Sequence, residues 1–377
     1  MKKIVLVCSY AGSLIGFRGD FISELVKKGF QVYTLAPNMT DEEVKEIKNL
    51  QAIPLSYKLQ RKGLNPINDF KTILELKSII KEYDIDLVFP YTIKPVIYSS
   101  IAAKWLGVPV ISLITGLGFT FSSTSTKSKI LEKVTTLLYK KSIGSNKSVI
   151  FQNQDDYQLF LKKNILSINH PYKIVDGSGV NLERYSFKKP RVNGAPVKFV
   201  FVGRLIKEKG IQLYIEAAKK LKREFESAEF HILGSHDGSQ NSVSLDVLNK
   251  LHEEGIVVYH GRQNDIASYL HKSDVFVLPT YYREGVPRSI LEALSVGLPI
   301  ITTDSPGCRE TIKLDDPNGI LVQKENFDEL LSAMNFFLTN KDEINIMGEK
   351  SRRLAQTRFD VNIINSDILE VIDKVLN

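Results

Sequence analysis

Two doubly wound α/β domains, each built on a parallel sheet, are predicted from three features of the chain. Short apolar runs alternate with amphipathic stretches along its whole length. The runs are near-continuous in Val, Ile and Leu, as in strands covered on both faces. The alternation then begins afresh after Tyr185–Pro196, a stretch of Lys, Pro, Arg and Gly that reads as a surface connection. Strands separated by helical patterns build parallel sheets with helices on both faces. A length of 377 residues suits two such domains, at roughly 150 residues apiece.

In chain order, the first half offers strands at Lys3–Cys8, Gln31–Ala36, Leu87–Pro90, Val110–Ile114 and Ser148–Gln152. Amphipathic stretches at Arg18–Lys28, Asn68–Glu82 and Ile97–Leu106 read as the helices between them. The second half offers strands at Lys198–Val202, Glu229–Leu233, Val257–Tyr259, Val275–Pro279 and Pro299–Thr302. Its helices are Ile211–Phe225, Ile266–His271 and Arg288–Val296. From about Asp342 the pattern is helical again, and this tail either caps the second domain or crosses back to the first. The boundaries expected are 1–175 for the N-terminal domain, 176–355 for the C-terminal domain and 356–377 for a terminal helix.

Composition fits a soluble globular protein, with 43% hydrophobic and 25% charged residues. Cys8 and Cys308 read as two reduced thiols, and no Cys/His spacing suggests a metal site. The apolar run at Ile4–Val7 is too short for a signal peptide, and no run reaches membrane-spanning length. The predicted location is therefore cytoplasmic. The charge is uneven: residues 1–175 carry 24 Lys plus Arg against 14 Asp plus Glu, and the remainder carries 26 against 29. Such a basic half suits an anionic membrane surface or nucleic acid. Thr126–Lys147 sharpens the choice. It holds Lys127, Lys129, Lys133, Lys140, Lys141 and Lys147 against Glu132, with Ile130, Leu131, Val134, Leu137 and Leu138 at helical spacing beside Tyr139. A basic amphipathic helix of this kind lies in a membrane interface, or else packs its stripe into the core. The membrane reading is preferred, and no nucleic-acid partner is expected.

Three segments carry chemistry. After the first strand, Gly12 and Gly16 allow close backbone approach, and a helix starting near Phe17 would aim its N-terminus at an anion. The dinucleotide fingerprint is absent here, which argues against hydride transfer. In Phe201–Gly210 a strand ends at Gly203, and Arg204 and Lys209 then precede a helix. A planar fork and a point charge both suit phosphate oxygens at the carboxyl end of a strand. In Leu278–Ala293 a strand runs through a loop holding Glu284, Gly285 and Val286 into a helix beginning near Pro287, with Glu292 on its first turns. Backbone N–H groups around Gly285–Pro287 would donate to a sugar hydroxyl or phosphate oxygen.

Glu284 and Glu292, within Glu-Gly-Val-Pro-Arg-Ser-Ile-Leu-Glu-Ala, make the sequence resemble retaining glycosyltransferases of the GT-B fold, family four. Thr92–Pro95, Ile114–Phe119, Asp176–Val180, Gly203–Arg204 with Lys209–Gly210, and Pro306–Glu310 match the same family in the same order. The resemblance implies two Rossmann-like domains facing across a cleft, the acceptor on the first and the donor on the second. It implies that Glu292 binds the nucleotide ribose and that Glu284 lies beside the donor sugar and leaving diphosphate. Arg204 and Lys209 would neutralise that diphosphate, with Gly16 near it and the acceptor. No metal or cofactor is implied; the nucleotide sugar, a UDP-sugar, is a substrate. Where many relatives carry His, this sequence has Thr115. His231, His236, His252, His260 and His271 are read as structural or surface residues.

The similar subgroup builds bacterial surface glycans or glycoproteins. The implied reaction moves a hexose or N-acetylhexosamine, first choice N-acetylgalactosamine from UDP, onto a polyprenyl-diphosphate-linked saccharide at the inner face of the membrane. Two alternatives stay open: a nucleotide-sugar 2-epimerase, and a non-catalytic subunit that binds nucleotide sugar.

Overall fold

The computed structural model describes residues 1–61, 63, 65–118, 121, 126–191, 194–236, 238 and 242–377. These form two compact units, Met1–Ser178 with Val361–Asn377, and Gly179–Asp360. The division falls at 178/179 and 360/361 rather than at the expected 175/176 and 355/356. The second shift has a local cause: Ala355–Phe359 continues the preceding helix as a π-helical turn and buries Ala355 and Phe359 in the core of the second unit. The chain leaves that unit only after Val180 has paired with Asp360.

The N-terminal unit has strands β1 (Lys3–Val7), β2 (Gln31–Ala36), β3 (Ile53–Ser56), β4 (Leu87–Pro90), β5 (Ile111–Ile114), β6 (Ser148–Phe151) and β7 (Tyr172–Ile174). All are parallel, in the order β3-β2-β1-β4 and β5-β6-β7. Bridges Val88↔Val110 and Tyr91↔Leu113 join β4 to β5. Successive β1 residues feed opposite faces: Val5 and Val7 enter one core, Ile4 and Leu6 the other. That two-sided burial is why the run reads as continuously apolar. The terminal helix Val361–Leu376 covers the second face, where Ile364, Ile368 and Ile372 share a core with Phe21, Ile22 and Leu25.

The C-terminal unit has β8 (Lys198–Val202), β9 (Glu229–Leu233), β10 (Val258–Tyr259), β11 (Val275–Leu278), β12 (Ile300–Thr303) and β13 (Gly319–Val322). They form one parallel sheet in the order β10-β9-β8-β11-β12-β13. Strand order therefore reverses between β8 and β11 here, and between β1 and β4 in the first unit. In open α/β sheets ligands bind outside the carboxyl ends of the strands at such a switch point.

The first unit departs from expectation near Gly16. Gly12–Gly16 is itself a short helical turn, and a separate helix runs Gly19–Lys27. Gly16 thus closes one turn instead of leading into a helix at Phe17. The helix after β4 also starts earlier than expected, at Ile93, so Lys94 and Pro95 are in its first turn.

Candidate active site

Both segments singled out in the second half lie at its switch point. The loop after β8 carries Gly203–Gly210, and the loop after β11 carries Pro279–Pro287. The two are laced together through one carbonyl. The Glu208 oxygen accepts from Tyr281 N–H at 2.9 Å, Tyr282 N–H at 3.0 Å and Thr280 Oγ1 at 3.1 Å. Close approach also demands Gly210. Its φ is 78°, and a Cβ there would lie 2.2 Å from the Pro279 carbonyl oxygen. A third loop backs the second: at Gly307, φ 82°, a Cβ would lie 1.7 Å from the Gly285 oxygen. Gly203, by contrast, has ordinary room for a Cβ, and so does Gly16 in the other unit; internal packing requires glycine at neither.

On this frame the side chains fall into two groups. In the first, Lys209 Nζ makes an ion pair with Glu284 Oε1. Arg204 and Lys209 both approach one face-bearing ring, that of Tyr282, with Arg204 Cζ 5.2 Å and Lys209 Nζ 5.9 Å from its centroid. Cys308 is a buried free thiol behind this group, and burial pushes its pKa up to about 11, which keeps it protonated and inert.

The second group centres on Glu292, whose side chain is 11% exposed. Arg288 Nε lies 3.2 Å from its Oε1, one helical turn earlier, and Arg288 Nη1 donates to the Gly179 oxygen at 2.8 Å. The Tyr185 hydroxyl also meets Glu292; burial, then that carboxylate, raises the phenol well above its ordinary pKa. Val286 is buried. Pro287 is the N-cap, at φ −62° and ψ 118°, and the helix proper is Arg288–Val296. Proline therefore stands one position before the first helical residue, where its fixed φ and missing N–H cost nothing.

The sequence reading missed Tyr282, Arg288 and Tyr185 as members of these groups. Arg288 was legible in principle, since residues at i and i+4 share a helix face. Tyr282 and Tyr185 gave no signal, because their partners come from distant segments of the chain.

The switch point of the first unit has its own polar constellation. Ser13 and Tyr91 hydroxyls are 2.9 Å apart, and Thr92 Oγ1 donates to Ser9 Oγ at 3.1 Å, so the ends of β1 and β4 are tied together. Thr92 sits at φ 70° and ψ 154°, a region almost reserved for glycine. Lys94 pairs with Asp69 at 3.0 Å. Thr115 follows β5 directly; Phe119 of the quoted motif lies outside the described residues.

The family model for glycosyl transferases group 1 matches residues 183–354, and that for glycosyl transferase 4-like proteins matches residues 4–153. The chain is a glycosyltransferase. Its fold is GT-B. A Rickettsia africae glycosyltransferase structure superposes with a TM-score of 0.77 at 19% identity, over 100% of this chain and 99% of that one. Anabaena Alr3699/HepE, solved in complex with UDP-glucose, gives 0.79 at 16% identity, over 99% and 100%. Among curated relatives, the transferase is 26% identical to the Campylobacter jejuni N,N'-diacetylbacillosaminyl-diphospho-undecaprenol alpha-1,3-N-acetylgalactosaminyltransferase, over 98% of both chains. It is 29% identical to the Escherichia coli UDP-Gal:alpha-D-GlcNAc-diphosphoundecaprenol alpha-1,3-galactosyltransferase, over 80% of this chain and 78% of that one.

Proposed function

We propose that the transferase moves a hexose or N-acetylhexosamine, first choice N-acetylgalactosamine from UDP, onto a polyprenyl-diphosphate-linked saccharide, with retention at the anomeric carbon. The observation that carries this reading is the cation pair Arg204 and Lys209, held with Glu284 at the switch point of the C-terminal sheet. A departing diphosphate gathers negative charge there, and preorganised cations stabilise it most at that moment. In this reading two side chains meet the phosphates, so no metal or cofactor is invoked. The ribose falls to Glu292, and the backbone of Gly203 and of Gly285–Pro287 lines the donor. Gly16 belongs to the acceptor side. The names of both curated relatives support the acceptor class.

The test is incubation of the full chain with UDP-N-acetylgalactosamine, UDP-N-acetylglucosamine or UDP-galactose and a short-chain polyprenyl-diphosphate saccharide. Expected is one donor strongly preferred, UDP released in step with extended acceptor, and an axial linkage by NMR. Free or isomerised sugar formed equally well without acceptor would replace this reading by the epimerase.

A lipid-linked acceptor calls for membrane contact, and none of the described helices is long and apolar enough to cross a bilayer. We assign that contact to one face of the N-terminal unit. Helix Thr126–Ser142 splits its apolar residues between two sides rather than showing the single stripe expected. Tyr139 and Thr135 are buried, whereas Ile130 and Leu137 are 61% and 52% exposed, with Val134 between them. Exposed Lys129, Lys133, Lys140 and Lys141 flank that outer stripe; the Lys127 side chain lies outside those described. Helix Pro66–Glu82 covers the same core and exposes Ile67, Phe70 and Leu74 in the same manner. Apolar residues among lysines suit an anionic interface, at about 1 kcal/mol per cation. Liposome sedimentation checks it. Binding should rise with anionic lipid, fall with salt, and drop when Lys129, Lys133, Lys140 and Lys141 become Glu. Protein left in the supernatant at low salt in every lipid mixture would remove the membrane assignment.

A further inference from the structure

We infer that Tyr282 is a positioning residue for the donor diphosphate: its ring holds both Arg204 and Lys209 at the switch point. The inference rests on the reading that these two cations meet the diphosphate, and it adds what keeps them together beforehand. Two like charges on one loop repel each other. The negative face of an aromatic ring offsets that repulsion. Both cations lie within the range of such an attraction, at 5.2 Å and 5.9 Å from the same centroid.

The ring is well placed for this work because its base is pinned. Tyr282 N–H meets the Glu208 carbonyl at 3.0 Å and Thr280 Oγ1 at 3.2 Å. Glu208 adjoins Lys209, so the ring is indexed to the very loop whose cations it holds. Tyr282 is half-buried and stands outside the hydrophobic core of its unit. Its removal therefore takes away little packing. The contact runs through the ring face, so the hydroxyl is dispensable. Glu284 completes the arrangement by pairing with Lys209. A bound diphosphate then finds two cations already ordered, and less side-chain entropy is lost on binding.

The experiment is calorimetry of the full chain and its variants with UDP, UMP and uridine, alongside donor turnover. Tyr282→Leu keeps apolar bulk without the ring's charge distribution; Tyr282→Phe keeps the ring. Tyr282→Leu should weaken UDP by roughly 10-fold, the scale of two exposed cation–ring contacts. It should leave uridine unchanged, affect UMP less than UDP, and lower kcat. Tyr282→Phe should restore both readouts. Equal weakening of uridine and UDP, no change in UDP, or failure of Tyr282→Phe to rescue would each overturn the inference. Arg204→Ala and Lys209→Ala separate it from the reading beneath it. If they weaken UDP while Tyr282→Leu does not, only the role of Tyr282 falls. If they too leave UDP untouched, the diphosphate assignment falls and the inference goes with it.

Discussion

Arg204→Ala and Lys209→Ala are each expected to lower turnover by roughly 10²–10³-fold, the scale of losing one preorganised electrostatic stabiliser. The two should not behave alike in the free protein. Lys209 is paired with Glu284, and both side chains are largely sheltered, at 12% and 17% exposure. Its loss takes a paired cation away from the Glu284 carboxylate beside the place assigned to the diphosphate. Repulsion then adds to the lost attraction, so Lys209→Ala should weaken UDP binding as well as turnover. Lys209→Ala combined with Glu284→Gln should recover part of the UDP affinity, because it also removes the negative charge that repels the diphosphate. Arg204 lies over the Tyr282 ring, and its fork geometry is not reproduced by Lys. Arg204→Lys should therefore recover only part of the activity. The measurement is single-turnover and steady-state transfer with folded variants. Turnover near that of the natural sequence in both alanine variants would dismiss the diphosphate assignment.

Glu292 is expected to show a large effect in two separate readouts. As a ribose ligand it contributes a charge-assisted hydrogen bond, so its loss should weaken UDP by about 1.5–3 kcal/mol. It is also half of a nearly buried ion pair with Arg288, whose side chain is 9% exposed. Removing one partner of such a pair strands the other, at a cost of about 3 kcal/mol or more when burial is complete. Glu292→Ala should therefore reduce both UDP affinity and stability to denaturant. Glu292→Gln keeps the shape and one acceptor, so it should spare more of the fold than of the affinity. Calorimetry with UDP and urea unfolding distinguish the two contributions. Unchanged UDP affinity in folded Glu292→Gln would make Glu292 a structural partner of Arg288 and Tyr185 alone.

Most of the strands that could be read from sequence lie inside the sheets. β1, β2, β4, β5, β6, β8, β9, β11 and β12 were found at or within a residue of their ends, because burial on both faces writes an unbroken apolar run, and the edge strand β10 was found equally closely. The three strands missed are β3, β7 and β13, and each is an edge strand. β3 reads Ile-Pro-Leu-Ser and is only half-buried, and proline is tolerated where a strand has one neighbour. β7 begins with exposed Tyr172. With one face or side open to water, such a strand has neither the continuous run nor enough length to alternate.

By itself the sequence determined the α/β class, the two-fold repetition, and the Glu284–Glu292 segment with its cations Arg204 and Lys209. These are local facts: strand burial, helix periodicity and loop chemistry are all written within about twenty neighbouring residues. Only the tertiary structure decided what those residues touch. Glu292 met Arg288 and Tyr185, Lys209 met Glu284, and Tyr282 came to carry both cations. It also decided that Val361–Leu376 belongs to the first unit, and that the apolar residues of Thr126–Ser142 divide between core and surface. The physical reason is the crossover topology of a parallel sheet. Strand β11 pairs with β8 although some seventy residues lie between them, so the loops at the switch point meet only after the sheet has formed.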